Sequence, residues 1–212
     1  MKKLFRRIIK PLLLLTLVSV SCSVSEAGLN TSILREGDII FQSSQSSQSD
    51  AVKAATGSDF SHMGIIFRSG KRFMVLEAVN PVSVTPLERF ISRSEGRFAI
   101  KRLRDREKIL TAVAVKKMKA AADAYIGKRY DIYFRWDDRR IYCSELVWKI
   151  YKKGAGIEIG RLQRARELNL GDPAVQKLLK RRYGKAVPLD EIIITPQSMY
   201  ESGKLFTVYE RR

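Results

Sequence analysis

The sequence predicts an α+β domain that combines an antiparallel sheet with amphipathic helices. Two apolar strand patterns flank a tight turn at Arg68–Lys71, which is typical of an antiparallel hairpin. Helical patterns follow at Thr111–Ile126 and from Cys143 onward, where apolar residues recur at intervals of three and four. With 45% hydrophobic residues in a chain of 212, a buried core can form. The sequence shows no internal repeat, and we expect one domain over residues 28–212.

Residues 1–27 have the pattern of a secretory signal peptide. Five basic residues open the chain: Lys2, Lys3, Arg6, Arg7 and Lys10. The apolar run that follows, Leu12–Val20, is too short to span a bilayer, so we expect export with cleavage after Ala27. The segment before Cys22 also resembles a lipoprotein signal, with Ser where that pattern has Leu, so a lipid anchor at Cys22 is the alternative. Either route places the domain in the periplasm or cell envelope of a bacterium.

The chain carries a large positive charge. Its formal net charge is +18, and removing the five basic residues and one acidic residue of the leader leaves about +14. Such a surplus predicts attraction to anionic polymers, which for an exported protein means anionic lipid headgroups or cell-wall polymers. The basic residues are spread along the chain without interleaved aromatic residues, and the sequence contains no nucleic-acid-binding motif. We therefore expect no nucleic-acid partner.

The mature chain opens with a turn at Leu34–Asp38 and a short buried strand at Ile39–Phe41. The next residues, Gln42–Asp50, are almost all Ser and Gln, and we interpret them as a loop that leads into a helix at Ala51–Thr56. Two interpretations of this loop stay open, because it either faces the substrate or is a solvated connection.

The predicted hairpin brings two titratable side chains together. With the turn centred on residues 69–70, Gly64 pairs with Val75 and His62 falls opposite Glu77. Directly paired residues have Cβ atoms about 4.5–5.5 Å apart, so the carboxylate can reach the imidazole. A shift of one residue would place the two side chains on opposite faces. His62 is the only histidine of the chain, and a single His without close ligand spacing to a cysteine predicts no metal site.

Further helices and strands follow in alternation, most of them bounded by proline, glycine or a capping residue. We expect a short helix at Pro86–Ile91, a strand at Arg97–Leu103, the helix at Thr111–Ile126, a helix at Pro173–Tyr183, a strand at Ile192–Ile194, a short helix from Pro196 and a final strand at Leu205–Tyr209. The stretch Gly127–Arg140 is predicted to be an aromatic-rich loop that delivers the chain to Cys143.

Cys143 stands at the start of a strongly apolar helical pattern that we expect Gly154 to end. The buried stripe consists of Leu146, Val147, Ile150 and Tyr151. At a helix N-terminus, unpaired N–H groups and the helix dipole favour a thiolate. Once residues 1–27 are removed, Cys143 is the only cysteine and cannot form an intramolecular disulfide, so it is either an intermolecular half-cystine or a free reactive thiol. A free cysteine is often only a small buried apolar residue, but a lone thiol in an exported protein favours catalysis.

A cysteine at a helix start and a histidine beside a carboxylate are the components of a thiol hydrolase. Cys143 would attack a carbonyl, His62 would carry the proton to the leaving group, and Glu77 would hold the imidazole in the useful tautomer. The backbone N–H of Cys143 and the hydroxyl of Tyr130 or Tyr142 are the candidate donors to the oxyanion. This chemistry requires no cofactor.

Five segments, taken in order, resemble the permuted papain-like amidases, and more closely the YaeF/YiiX-type members of the NlpC-related cysteine hydrolase superfamily. The segments are Gly37–Phe41, Ser61–Ile65, Leu76–Ala78, Gly127–Asp131 and Tyr142–Val147. His62 precedes Cys143, which is the permuted order of these motifs. The resemblance implies a papain-like (NlpC-like) fold in which an antiparallel sheet packs against the helix that bears the catalytic cysteine. It also implies a triad of Cys143, His62 and Glu77.

Fold and triad predict a reaction class better than a substrate. One hypothesis is an amidase or peptidase that acts on cell-wall peptides. A second is a lipid-directed thioesterase or acyltransferase with the same triad, which an apolar groove beside Cys143 would favour. A third is a non-enzymatic basic protein that binds the envelope and keeps Cys143 inert. Loss of hydrolysis in Cys143→Ala would reject the third.

Overall fold

The computed structural model describes residues 28–44 and 46–211; the predicted signal peptide and the alternative lipid anchor at Cys22 lie outside these residues. A six-stranded antiparallel sheet forms the centre of the domain. In spatial order its strands are β10 (Leu205–Arg211), β5 (Phe98–Leu103), β1 (Ile39–Gln42), β2 (His62–Ser69), β3 (Arg72–Glu77) and β4 (Ser83–Pro86). The predicted α+β class with an antiparallel sheet is thereby confirmed.

The helix that begins at Cys143, α5 (Cys143–Ala155), packs on β2 and against α4 (Ala112–Asp123). The other helices are α1 (Ser47–Thr56), α2 (Leu87–Ser92), α3 (Arg106–Ile109), α6 (Pro173–Tyr183) and α7 (Pro196–Tyr200). Short strands form two further pairs: β6 (Arg129–Tyr130) with β7 (Arg140–Ile141), and β8 (Gln163–Arg164) with β9 (Ile192–Ile193). Within the described ranges, no helix is long and apolar enough to cross a membrane.

The sheet is buried on both faces because its strands alternate two sets of apolar side chains. Ile39 and Phe41 of β1 belong to the large core cluster that includes α4 and α5. Ile40, between them, belongs to a second cluster on the opposite face with Phe90 of α2. The sheet thus presents one face to the helix that carries Cys143.

The hairpin register differs from the prediction by two residues. Gly64 pairs with Glu77 rather than with Val75, and the strands are joined at Gly70–Lys71 rather than at residues 69–70. Gly70 has φ +59°, a conformation that tight hairpin turns require and that glycine adopts without strain. A shift of two residues keeps every side chain on its predicted face. His62 and Glu77 therefore still share a face, as diagonal rather than direct neighbours.

The loop that follows β1 is shorter than predicted. The helix begins at Ser47 instead of Ala51, because the Ser46 side chain accepts a hydrogen bond from the backbone N–H of Ser49 and caps it. Four residues that we interpreted as loop are therefore helical.

Gly154 does not end α5, as we had expected from its place after two lysines. The helix continues to Ala155, and Gly156 ends it in the left-handed conformation with φ +70°. Gly154 instead lies against α4, where a Cβ atom would be 2.4 Å from Met118 Cγ and 2.6 Å from Met118 Cα. The absence of a side chain at this position lets the two helices approach each other.

We expect Gly154→Ala to destabilise the protein by about 1–3 kcal/mol, because the added methyl group overlaps the Met118 backbone. At an ordinary helix position the same change raises the free energy of unfolding by up to about 1 kcal/mol. A decrease therefore indicates the overlap with Met118. Urea unfolding measures the change, with Gly203→Ala as the matched control because nothing lies within 4 Å of the Cβ it would add. Equal stability of the two variants would contradict the close packing of α4 on α5.

Candidate active site

The three predicted triad residues lie at the ends of three adjoining elements. His62 is the first residue of β2, Glu77 is the last residue of β3, and Cys143 is the first residue of α5. His62 Nε2 is 2.7 Å from Glu77 Oε2. Because this contact occupies Nε2, Nδ1 is the ring nitrogen available to the thiol of Cys143. The imidazole also stacks on Phe90, with 5.7 Å between the ring centroids.

Glu77 is fully buried and is held by more partners than the sequence indicated. Its Oε1 accepts a hydrogen bond from Arg93 Nη2 at 2.6 Å, and Thr85 also contacts the carboxylate. Burial raises the pKa of Glu77, but the hydrogen bonds and charge of its partners outweigh burial and lower it. Glu77 therefore stays ionised and favours the protonated imidazole. Sequence reasoning missed Arg93, whose position after a short helix carries no recognisable signal.

The surroundings of Cys143 favour the thiolate. Burial raises the pKa of Cys143, but His62 and the backbone N–H groups of Ser144 and Met63 outweigh this effect and lower it. Burial likewise lowers the pKa of His62, while its hydrogen bonds with Cys143 and Glu77 raise it to about 9. A thiolate and an imidazolium can therefore coexist at neutral pH, which is the ionisation state that a cysteine nucleophile requires.

The two tyrosines predicted as oxyanion donors lie in different positions. Tyr130 interacts with Cys143 and accepts a hydrogen bond from Gln48 Nε2 at 3.1 Å. Burial raises the pKa of Tyr130 well above its usual value, so its hydroxyl keeps its proton and can donate it. The hydroxyl of Tyr142 instead accepts a hydrogen bond from the Ile194 backbone N–H at 3.1 Å. This placement favours Tyr130 over Tyr142 as the donor.

Gln42 is a further polar residue of the site that sequence reasoning left in a loop. It is the last residue of β1 and pairs directly with His62 across the sheet, so the two side chains project on the same face. Gln42 is buried, and no donor among the described residues reaches its Oε1. Buried polar atoms are nearly always hydrogen-bonded, so this acceptor is available to a donor from water or from a bound ligand.

An apolar cavity of about 110 Å³ opens beside Cys143. Six of its apolar wall residues come from two helices that pack on each other: Ala51, Val52 and Ala55 of α1, and Val175, Leu178 and Leu179 of α6. Since about 10–15 Å³ accommodates one water-sized group, the cavity accommodates several methylene-sized groups.

A second opening lies on the His62 side of the site, and we name it the polar cleft because most of its lining residues are polar; Ala78, Val79 and Ile132 contribute apolar surface. Its lining includes the side chains of Gln42, Gln48, Asn80 and Arg93. Ser44, Ser46 and Ser49 also line it, so the Ser/Gln segment borders the site, as one of its two interpretations predicts. In the described part of the chain, no group of three or more His, Cys, Asp or Glu side chains is placed to hold a metal ion.

The fold and this geometry together define a class of protein. A cysteine at the start of a helix, packed on an antiparallel sheet that carries histidine and glutamate, is the arrangement of papain-like cysteine hydrolases. In this chain the histidine strand precedes the cysteine helix, so the order is permuted.

Comparison with known proteins identifies the family. The model of the family described as "Permuted papain-like amidase enzyme, YaeF/YiiX, C92 family" matches residues 33–209, and the chain belongs to this family. It is therefore a cysteine hydrolase of the amidase and peptidase class. The family match also confirms the permuted papain-like fold that the sequence predicted.

Two relatives from Escherichia coli are similar to this chain over most of their length. The uncharacterized protein YiiX of strain K12 is 43% identical over 173 residues, which span 81% of this chain and 84% of YiiX. The crystal structure of metalloprotein YiiX from strain O157:H7 matches with a TM-score of 0.78 and 43% identity, over 83% of this chain and 97% of that one. The described residues of this chain offer no donor set that fits a metal ion, so we derive no reaction step through one.

Proposed function

We propose that the protein is an exported cysteine amidase that cleaves an amide bond through a thioester on Cys143. The contact that carries this proposal is the 2.7 Å hydrogen bond between buried Glu77 and His62, beside a thiol whose pKa His62 lowers. Membership of the family supports the reaction class. The assignment of the triad to Cys143, His62 and Glu77 is our own.

The reaction begins with the thiolate–imidazolium pair. The Cys143 sulfur attacks the carbonyl carbon, and the tetrahedral intermediate collapses as the C–N bond breaks and His62 gives its proton to the leaving nitrogen. The acyl group is then a thioester on Cys143. His62, now neutral, takes a proton from a water molecule that attacks the thioester. The C–S bond breaks, the acid leaves, and the thiolate–imidazolium pair is restored.

The negative charge of the tetrahedral oxygen requires donors in a site that excludes water. The N–H of Cys143, at the first turn of α5, has no helical partner of its own because helix N-termini leave such groups free. The hydroxyl of Tyr130 is the proposed second donor, since it adjoins Cys143 and keeps its proton. Glu77 and Arg93 act through His62 by fixing its tautomer and charge.

Export to the periplasm or cell envelope rests on the signal-like residues 1–27, with a lipid anchor at Cys22 as the alternative. In that compartment, anionic envelope polymers are the expected partners of the basic surface. Two substrate classes suit the same triad, namely cell-wall peptides and molecules with an acyl chain. The apolar cavity beside Cys143 favours the second class.

The thioester can be tested directly with an acyl p-nitrophenyl ester. We expect a burst of nitrophenol equal to the enzyme concentration, because acylation of an activated ester outruns hydrolysis of the thioester. Acid quenching and peptide mass spectrometry should then find the acyl group on the Cys143 peptide and not on the Cys22 peptide. Ester cleavage at the same rate in Cys143→Ala, with no adduct on Cys143 in the wild type, would contradict the proposal.

A further inference from the structure

The candidate site lies where two openings of different polarity meet. Cys143 lines the apolar cavity, whereas His62 lines the polar cleft. Ser61 and Tyr130 line both and mark the boundary between them. The two reacting side chains are thus presented to different environments.

The chemistry of a thioester enzyme assigns one half of the substrate to each opening. The acyl group becomes bonded to the Cys143 sulfur, so it extends on the side of the apolar cavity. The leaving group takes its proton from His62, so it lies on the side of the polar cleft. This assignment follows from the bonds made and broken and rests on the function proposed above.

The cavity offers little to a polar acyl group. Three polar side chains on its wall are already hydrogen-bonded within the protein: Ser144 Oγ donates to the Ile194 carbonyl at 2.8 Å, Thr56 Oγ1 donates to the Val52 carbonyl at 2.8 Å, and Glu191 Oε1 accepts from the Trp136 backbone N–H at 2.8 Å. The Tyr183 hydroxyl donates to the Tyr133 carbonyl. A charged or hydrogen-bonding acyl group would lose its water there without replacement, which is unfavourable.

The polar cleft, in contrast, contains a hydrogen-bond acceptor that has no donor from the described residues. Gln42 Oε1 is buried beside His62 and has no partner among the described residues. The nitrogen of a scissile amide carries an N–H group that can donate to this oxygen, whereas the corresponding ester oxygen has no hydrogen to donate. The cleft therefore favours an amide as the bond that is cleaved.

We propose that the substrate is an amide whose acyl group is an apolar chain seated in the cavity and whose amine half is a polar group in the cleft. An apolar chain of this kind can be an alkyl chain or the side chain of an apolar amino acid. Burial of each methylene in the cavity supplies binding energy that a short acyl group lacks.

A series of acyl p-nitroanilides from acetyl to octanoyl tests the cavity on the full chain. We expect kcat/KM to rise about fourfold for each methylene that the cavity buries. Two further substrates, the N-acetyl-leucyl and N-acetyl-glutamyl p-nitroanilides, distinguish an alkyl chain from an amino-acid side chain. A higher kcat/KM for the leucyl substrate than for the octanoyl substrate identifies a peptide, and the reverse identifies an alkyl chain. A rate independent of chain length, or a preference for the glutamyl substrate, overturns the proposal.

Ala55→Trp narrows the cavity from α1, and Ala120→Trp is its matched control on the exposed face of α4. The ratio of octanoyl to acetyl kcat/KM should fall at least about tenfold in Ala55→Trp, and the control should keep the wild-type ratio. An unchanged ratio in Ala55→Trp would show that the chain lies elsewhere.

Gln42→Met tests the amide preference, since methionine keeps the bulk and removes the acceptor. The ratio of kcat/KM for octanoyl p-nitroanilide to that for octanoyl p-nitrophenyl ester should fall about tenfold, the size of one lost hydrogen bond. An equal loss for both substrates would assign Gln42 a general structural role and overturn this part of the proposal.

A binding measurement separates failure of this inference from failure of the proposed function. Calorimetry of Cys143→Ala with acetamide and octanamide needs no turnover. Tighter binding of octanamide with no hydrolysis of any anilide by the wild type would sustain the cavity and overturn the amidase mechanism. Hydrolysis by the wild type with no difference between the two amides would sustain the mechanism and overturn the apolar acyl group.

Discussion

Cys143→Ala should lose amide hydrolysis by a factor of at least about 10⁴ in kcat, because no other side chain of the proposed triad can form the acyl intermediate. The substrate is whichever anilide of the acyl series the wild type cleaves fastest. Cys143→Ser should lose a similar factor, since the hydroxyl of serine is far less acidic than a thiol and His62 alone does not compensate.

The control for this experiment is Ser92→Ala, an exposed position whose side chain only caps its own helix. It should keep wild-type activity, and near-ultraviolet circular dichroism should show that all three variants are folded. Retention of more than about 1% of activity in Cys143→Ala would refute the nucleophile assignment. Absence of hydrolysis in the wild type would instead revive the hypothesis of a non-enzymatic protein that binds the envelope.

His62→Ala should slow alkylation of Cys143 by iodoacetamide at pH 7 by about a hundredfold or more. In the wild type, the pKa of Cys143 is lowered and that of His62 is raised to about 9, so the thiolate forms at a pH where His62 is still protonated. Removing the cation leaves burial as the dominant effect, and burial raises the pKa of a thiol. Each unit of that increase lowers the thiolate fraction at pH 7 about tenfold.

The same two groups give amide hydrolysis a bell-shaped pH dependence. Activity should rise as Cys143 ionises and fall above about pH 9, where His62 loses the proton that it must give to the leaving nitrogen.

The alkylation experiment has two controls. Peptide mass spectrometry separates alkylation of Cys143 from that of Cys22, and the urea-unfolded chain supplies the reactivity of an unperturbed cysteine, with a pKa of about 8.5. Equal alkylation rates for folded wild type and His62→Ala across the pH range would show that the two residues do not interact.

Prediction of the hairpin shows where sequence reasoning succeeds and where it stops. The alternation of side chains has a period of two, so any even error in register leaves His62 and Glu77 on one face. The register itself depends on the turn, in which Gly70 comes first and adopts a positive φ. Sequence spacing did not distinguish this turn, at Gly70–Lys71, from the predicted turn centred on residues 69–70. The misassigned end of α5 has a similar origin, because Gly154 and Gly156 are both plausible stops and only the contact with Met118 separates them.

The sequence by itself determined the α+β class, the helix start at Cys143 and the shared face of His62 and Glu77, because each depends on residues near one another in the chain. It also determined the permuted order, because that order is only the position of His62 before Cys143 along the chain. Only the tertiary structure decided the partners that come from distant segments. Arg93 reaches Glu77, and Gln42 lies beside His62. The Tyr130 side chain interacts with Cys143, whereas the hydroxyl of Tyr142 accepts a hydrogen bond from the Ile194 backbone N–H. The apolar cavity is the clearest case, since α1 and α6 are more than a hundred residues apart in the chain and form its walls only when they pack together.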